Sequence, residues 1–183
     1  GVDTATTFLG IDLPSPIILT PMAAHGLVHQ QADRATIRGT HKAGTIMSIS
    51  TYSSVPVKDI AESAPGAPFF FQIYMSRDAG FNESIIQKAK AAGAMAIIIT
   101  IDAGTAGNRE SDARNNYNYS SPTPNVTDHY KGKNDTQIEA RVLRKVSHHA
   151  EAIPDVQDDA GLPVCGRGRI TPAGSGTASA AGG

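Results

Sequence analysis

The stretch Ile97-Ile98-Ile99-Thr100-Ile101-Asp102, followed by Gly107-Asn108-Arg109, decides the fold of this chain. Its apolar run lacks the alternation of a half-exposed strand and is typical of a strand covered on both faces, as in a parallel α/β sheet. Polar and charged residues at the end of such a strand indicate a site, because parallel sheets carry their chemistry at the carboxyl ends of the strands. We therefore expect Thr100, Asp102 and Arg109 to converge on a ligand.

Strands and helices alternate along the first part of the chain, which predicts βα units. Successive parallel strands joined by helical crossovers form either a doubly wound sheet or a barrel, and periodicity does not distinguish the two. Gly44 and Gly93 follow two of the predicted helices, where glycine commonly ends a helix. The predicted strands cover 16–21, 45–50, 68–74 and 96–102, and the predicted helices cover 31–43, 58–63 and 82–92.

The chain changes character after Arg109. Residues 111–135 are rich in Asn, Ser, Pro and Tyr and have no apolar period, which indicates either an active-site lid or a disordered segment. Beyond them, the sequence predicts helices over 137–150 and 155–160 and a fifth strand that begins over 161–165. Residues 168–183 contain mostly small residues and cannot bury enough surface to offset ordering, so we expect a disordered tail.

Length and composition limit the function. The chain has 183 residues, fewer than the roughly 250 typical of a closed (β/α)8 barrel, so a barrel would be incomplete. A net charge of -1 gives no electrostatic reason to expect nucleic acid or a membrane surface as a partner. The single Cys165, with no long apolar run and no signal-peptide pattern, predicts a cytoplasmic protein. The histidines lack the spacing of metal ligands.

Five motifs stand in one order along the chain. They resemble the FMN-dependent 2-hydroxy-acid oxidase and dehydrogenase family, most closely its L-lactate oxidases, over roughly residues 1 to 165. Tyr52 stands where the plant glycolate oxidases of this family have tryptophan, which favours the lactate oxidase branch. The motifs are Pro21-Met22-Ala23-Ala24-His25-Gly26, Met47-Ser48-Ile49-Ser50-Thr51-Tyr52-Ser53, Phe71-Gln72-Ile73-Tyr74, Thr100-Ile101-Asp102 and Gly107-Asn108-Arg109.

The resemblance implies a partial TIM (β/α)8 barrel made of about the first four to five βα units. Residues 1–165 would form this incomplete barrel domain, and 166–183 would be a low-complexity tail, such as a shifted reading frame produces. The implied cofactor is FMN. The implied reaction is oxidation of an L-2-hydroxy acid, L-lactate to pyruvate, with oxygen as acceptor and hydrogen peroxide as product. Because the family commonly forms tetramers, the full-length protein is expected to be a homo-oligomer.

The residues that the resemblance assigns to FMN binding offer backbone and little bulk after the first strand, or neutral polar groups at the ends of later strands, apart from one arginine. Small residues leave room beside a planar ring, and hydroxyl or amide groups bond its polar edge without adding charge. Each of these residues also has a purely structural interpretation, in which it forms the turn after a strand or caps that turn. They are Met22, Ala23, Ser50, Gln72, Thr100 and Arg167, the last standing where a family member has lysine.

Arg109 is the strongest candidate for substrate binding, because a guanidinium binds a carboxylate through two parallel hydrogen bonds. Its alternative is a surface arginine paired with Glu110 or Asp112. Asp102 matches the family aspartate that orients the catalytic histidine, and otherwise it caps a strand end. The substrate pocket is completed, by resemblance, by three tyrosines: Tyr74 touches the substrate, Tyr52 forms a wall and Tyr119 lies in the lid.

The sequence also departs from the family. From Gly166 onward the motif that supplies the catalytic histidine and a second arginine is absent, and His25 is not expected to replace that histidine because the family places its base elsewhere. The alternative function is therefore a catalytically inactive barrel fragment that only associates with other chains, since half a barrel exposes sheet edges. On this view the 183 residues alone give no turnover.

Overall fold

A computed structural model describes residues 1–76, 78–100, 108–118, 120–131 and 161–167. Within these ranges the chain forms a two-stranded antiparallel hairpin and a five-stranded parallel sheet whose strands follow one another in sequence order. The helices connect successive strands of this sheet, which is the arrangement that the alternating sequence pattern predicts.

The elements have the following bounds. The strands are β1 (Thr6–Phe8), β2 (Ile11–Leu13), β3 (Leu19–Met22), β4 (Met47–Ser50), β5 (Phe69–Tyr74), β6 (Ala96–Thr100) and β7 (Val164–Arg167). The helices are α1 (Ala32–Lys42), α2 (Val57–Glu62), α3 (Ala79–Ala91), α4 (Glu110–Arg114) and α5 (Pro124–Tyr130), and a short 3-10 helix covers His25–Leu27.

The predicted strands and helices up to residue 100 are all present, with small shifts at their ends. Helix α3 begins before the predicted residue 82 because Asp78 caps it, its carboxylate accepting a hydrogen bond from Phe81 N at 3.1 Å. Gly44 and Gly93 follow α1 and α3 with φ of 71° and 94°, as expected for glycines that end helices. The fifth strand, β7, runs to Arg167, two residues past the predicted domain boundary, which itself stays a prediction.

Residues 111–135, for which the sequence leaves an active-site lid and a disordered segment open, include most of α4 and all of α5, so these parts are ordered helices. Helix α4 spans 5 residues and α5 spans 7, too few for a 3.6-residue apolar period to show in the sequence. An ion pair between Arg114 and Glu110, at 2.8 Å, supports α4, and the burial of Val126 supports α5. The predicted helices over 137–150 and 155–160 and the predicted tail over 168–183 lie outside the described residues.

The hairpin of β1 and β2 was missed by the sequence analysis. Its turn uses Leu9 and Gly10 at φ of 48° and 77°, the two positive values that a tight hairpin turn requires. The hairpin lies against the sheet, because Leu13 packs with Phe70 and the Phe8 and Phe70 rings are 6.0 Å apart. It covers one face of the sheet at the amino ends of the strands.

The two faces of the sheet differ in chemistry. Alternate residues of β5, including Phe71 and Ile73, join Ile37 and Phe81 in the large core under the helices. On the opposite face, the hairpin and Phe70 form a small apolar cluster at the amino ends, and polar side chains follow toward the carboxyl ends. Among the helices that the structure describes, none is long and apolar enough to cross a bilayer.

Candidate functional site

Three polar side chains form a buried row across the carboxyl ends of β4, β5 and β6. The Ser50 hydroxyl donates to Gln72 Oε1 at 3.4 Å, and Gln72 Nε2 donates to Thr100 Oγ1 at 2.9 Å. Register explains the row: Ser50 lies opposite Gln72, and Gln72 lies opposite Ile98, two residues before Thr100, so all three side chains share one face. The structure thus brings together three of the six residues that the resemblance assigns to FMN.

The row matches the chemistry of a flavin's polar edge. Its members are uncharged, at most 7% exposed, and able to donate or accept. Within the described residues, Gln72 uses one of its two amide N–H groups, toward Thr100, so a second donor is left for a ligand. The residues present therefore fit a ring with alternating carbonyl and nitrogen groups, such as the isoalloxazine of FMN.

Two of the predicted pocket tyrosines also lie together. Tyr74 ends β5 and Tyr52 follows β4, and their rings are 5.5 Å apart at an interplanar angle of 37°. Both side chains are partly buried, so each packs on the other and still presents an edge at the end of the sheet. The arrangement suits the wall of a small pocket beside the polar row.

The turn after β3 carries the two residues predicted to flank the flavin. Met22 ends β3 with 49% of its surface exposed, and Ala23 is exposed. The next residue, Ala24, has a φ of 59°, and its N–H donates to Tyr52 O at 3.2 Å. The turn is therefore tied to the loop that carries Tyr52, and only small or flexible side chains occupy its open side.

Among the described residues, the ion pair and the cavity of Arg109 involve residues 108–112 and not the polar row. Arg109 precedes α4 and is 70% exposed, and its nearest acidic partner is Asp112 at 3.9 Å, one of the two pairings expected of a surface arginine. The other pairing is not formed, because Glu110 binds Arg114 at 2.8 Å. Arg109 lines an open cavity of about 510 Å³ whose walls come from residues 108–112. No residue of the polar row lines this cavity, so a carboxylate role for Arg109 stays a prediction.

Three other predicted site residues remain untested. Asp102 and Tyr119 lie outside the described residues. The backbone of Arg167 lies opposite Thr100 in the register of β6 and β7, at the same end of the sheet, and its side chain lies outside the description. The roles assigned to these residues by resemblance stay predictions.

A buried acid was missed by the sequence analysis. Asp33 in α1 is fully buried, accepts a hydrogen bond from Ser54 N at 2.9 Å, and lies 3.5 Å from His25 Nδ1. Burial raises the pKa of its carboxyl, and the nearby His25 offsets part of that rise. His25 Nδ1 is also 2.9 Å from Thr36 Oγ1. No local pattern in the sequence indicates this cluster, since an acid in the first turn of a helix is ordinary.

Comparison with known proteins agrees with the resemblance that the sequence motifs indicate. A family model described as FMN-dependent dehydrogenase matches residues 1–172. An L-lactate oxidase of Lentilactobacillus hilgardii is 38% identical over 171 residues, which are 91% of this chain and 46% of the relative. An L-lactate oxidase of Lactobacillus jensenii is 35% identical over 90% of this chain and 41% of its own length. The chain thus spans less than half the length of these curated relatives.

Solved structures show the same fold. A putative lactate oxidase of Pediococcus acidilactici superposes with a TM-score of 0.82 at 37% identity, over 93% of this chain and 45% of its own. A mandelate oxidase variant with a C4a-OH-FMN adduct superposes with a TM-score of 0.71 at 25% identity, over 93% and 46%. These matches confirm the predicted fold class, a partial α/β barrel.

Proposed function

The chain belongs to the FMN-dependent dehydrogenase family, and we propose that the protein uses FMN to oxidise an L-2-hydroxy acid, L-lactate to pyruvate, with oxygen as the acceptor. When bound, FMN would supply a two-electron acceptor beside the row of Ser50, Gln72 and Thr100: the substrate would lose its α-hydrogen with two electrons and its hydroxyl proton, and transfer of two electrons and two protons to oxygen would give hydrogen peroxide. The cytoplasmic location and the homo-oligomeric state stay predictions.

The observation that carries this proposal is the row of Ser50, Gln72 and Thr100. The three side chains are held by one another and by strand register, so they meet a ligand without first reorganising. Ser50 and Gln72 are also fixed from the next loop, because Tyr52 N donates to Ser50 Oγ at 3.1 Å and Thr51 N to Gln72 Oε1 at 3.4 Å. This preorganisation supports binding of a planar, polar ring edge.

The substrate end of the site is built from longer side chains. Tyr74 contacts the acid through its phenol, and Tyr52 packs against Tyr74 and limits the size of the group on the α-carbon. Arg109 binds the carboxylate after its exposed side chain leaves the weak contact with Asp112. Asp102 would orient the catalytic histidine that the family resemblance implies.

A titration of FMN tests the cofactor site. Gln72→Leu removes the centre of the row while keeping the side-chain size, and we expect FMN affinity to fall by about tenfold or more. Gln87→Leu is the matched control, because Gln87 is an exposed glutamine of α3 on the helical side of the sheet. Flavin fluorescence measures binding. Equal FMN affinity of the two variants would show that the row of Ser50, Gln72 and Thr100 does not bind FMN.

The reaction needs a separate measurement. L-Lactate added without oxygen to the FMN-loaded protein should bleach the flavin absorbance, and readmitted oxygen should restore it with formation of hydrogen peroxide. Recovery only with a quinone or a cytochrome would reject oxygen as the acceptor while keeping the dehydrogenase reaction.

A second candidate function is association with other chains without catalysis. The two edges of the sheet favour this function, because among the described strands β3 and β7 each pair with a single neighbour. Edge strands expose N–H and C=O groups that can pair with a strand of another chain. Light scattering together with the FMN titration separates the two candidates. Self-association without flavin binding supports the second.

A further inference from the structure

The segment over residues 51–57, here called the Tyr52 loop, runs from the end of β4 to the first residue of α2 and carries the tyrosine at the pocket wall. Its first half is bonded to the strand ends that precede it. Thr51 N reaches Gln72 Oε1, Tyr52 N reaches Ser50 Oγ, and Ser53 N reaches Ser50 O at 3.1 Å. These bonds fix where the loop starts and leave its far half to other partners.

The far half of the Tyr52 loop is held by side chains from distant parts of the chain. Ser54 N donates to Asp33 Oδ2 at 2.9 Å, and Val57 N donates to Asn125 Oδ1 at 2.9 Å. Asn125 belongs to α5, 68 residues further along the chain, and is only 4% exposed. A buried asparagine is retained where its amide is satisfied, so its partners indicate its role.

Asn125 uses both ends of its amide on the same loop. Its Nδ2 donates to Ser53 Oγ at 2.7 Å, and the Ser53 hydroxyl donates in turn to Val55 O at 2.8 Å. Ser53 is fully buried. The loop therefore cannot move relative to Asn125 without leaving buried polar groups unpaired, which is costly in the protein interior.

Helix α5 is itself anchored to the core. Val126 is 1% exposed within the large core, and the ring of Tyr130 stacks on Phe81 at 5.7 Å and 16°. The Tyr130 hydroxyl donates to Asp78 Oδ2 at 3.1 Å, at the start of α3. These contacts join α5 to α3 at one side while Asn125 reaches the Tyr52 loop at the other.

We propose that Asn125 is a positioning residue that transmits the location of α5 to Tyr52 and thereby sets the width of the acid pocket. The role in substrate choice rests on the proposed oxidation of a 2-hydroxy acid, whereas the mechanical link rests only on the hydrogen bonds above. A looser Tyr52 loop would widen the pocket beside Tyr74 and admit acids with larger side chains.

The chain contains no tryptophan, so Tyr52→Trp gives a single fluorescent reporter in the loop. Tryptophan is the residue that related glycolate oxidases carry at this position, which makes the substitution a mild one. Asn125→Ala is made in this background. Asn82→Ala is the matched control, because Asn82 uses its amide in the same way on another loop, bonding Ser76 N at 2.9 Å and Ser76 O at 2.8 Å.

We expect Asn125→Ala to shift the tryptophan emission to the red and to increase its quenching by acrylamide, while Asn82→Ala changes neither. Exchange of the Val57 amide should accelerate by about tenfold, as for loss of one buried hydrogen bond. Unchanged fluorescence in Asn125→Ala, or an equal change in Asn82→Ala, overturns the proposal.

Should Asn125→Ala fail to fold, Ser53→Ala tests the same link, because it keeps the bond to Val57 N and removes one partner of Asn125. It should shift the reporter in the same direction by a smaller amount, and no shift overturns the proposal. None of these readouts uses FMN, so failure to bind flavin rejects the proposed function alone. In protein that turns over, Asn125→Ala should lower KM for larger 2-hydroxy acids relative to L-lactate, with little change in kcat.

Discussion

Two regions of the predicted site differ in how the chain holds them. Ser50, Gln72 and Thr100 sit on adjacent parallel strands, are at most 7% exposed and bond to one another. Arg109 precedes a 5-residue helix, is 70% exposed and has an ion pair of 3.9 Å. Strand register fixes the first group before any ligand arrives, while the position of Arg109 depends on a contact worth less than ~1 kcal/mol.

The difference shows what each region contributes to a binding site. Side chains held in place by strand register lose little conformational entropy when a ligand binds, so little of the free energy of their hydrogen bonds to the ligand is offset. A long exposed side chain loses that entropy on binding, and in exchange it can follow a substrate into place. We therefore expect the strands to govern stability and cofactor binding, and the segment after residue 107 to govern substrate capture.

The largest expected effect on stability comes from a substitution in the core beneath the strand region. Phe71→Ala, in β5, empties a fully buried site in the large core and should lower the free energy of unfolding by ~3–5 kcal/mol. Tyr117→Ala, at a 56% exposed aromatic residue after α4, should cost less than ~1 kcal/mol. Urea unfolding followed by circular dichroism measures both. Similar losses in the two variants would contradict the contrast between the regions.

The strand region is also the part that could be predicted from sequence. Strands β5 and β6 are short apolar runs, and β4 is a short run that alternates Met or Ile with Ser; each begins soon after a glycine or a proline, so all three are visible in the sequence without any tertiary information. Since Ser50 and Thr100 end two of these runs and Gln72 lies near the end of the third, a parallel sheet brings them to one edge. The row then follows from the fold class.

The remaining features depend on contacts between distant residues. Asn125 and Val57 are separated by 68 positions, and nothing in the local pattern of either residue indicates the bond. Helices α4 and α5 are too short to show an apolar period, and tertiary contacts with α3 stabilise α5. The burial of Asp33 likewise depends on how α1 packs against the Tyr52 loop.

An intermediate effect concerns Asp33, which connects α1 to the Tyr52 loop. Burial raises the pKa of this carboxyl above its ordinary value of 3.8, and His25 offsets part of the rise. The folded protein therefore holds the proton more tightly than the unfolded chain, so this group stabilises the fold below pH 3.8 and that contribution is lost as pH rises through the raised pKa. We expect Asp33→Asn to remove this decline.

The measurement is the free energy of unfolding of both proteins as a function of pH, starting from about pH 4. An asparagine still offers an oxygen to Ser54 N, so the loop contact is kept while the titration is lost. Asp59→Asn is the control, because Asp59 is 42% exposed and pairs with Arg34 at the surface. Parallel pH curves for wild type and Asp33→Asn would show that His25 compensates the buried charge fully.

The smallest effect on stability, and the sharpest test of the contrast, is at Arg109. Arg109→Met keeps an extended side chain and removes the charge, and because the ion pair with Asp112 is exposed and long, stability should change by less than ~0.5 kcal/mol. Arg114→Met is the control at a similarly exposed arginine, 77% exposed, that pairs with Glu110.

The two arginine variants should differ in their affinity for L-lactate, although they do not differ in the free energy of unfolding. If Arg109 captures the substrate carboxylate, Arg109→Met weakens binding of L-lactate to the FMN-loaded protein by about 10- to 100-fold, the range for losing one or two charge-assisted hydrogen bonds. Arg114→Met leaves binding unchanged. Titrations followed by flavin absorbance measure both, and equal affinities would mean that Arg109 is a surface residue and that substrate capture lies elsewhere in the chain.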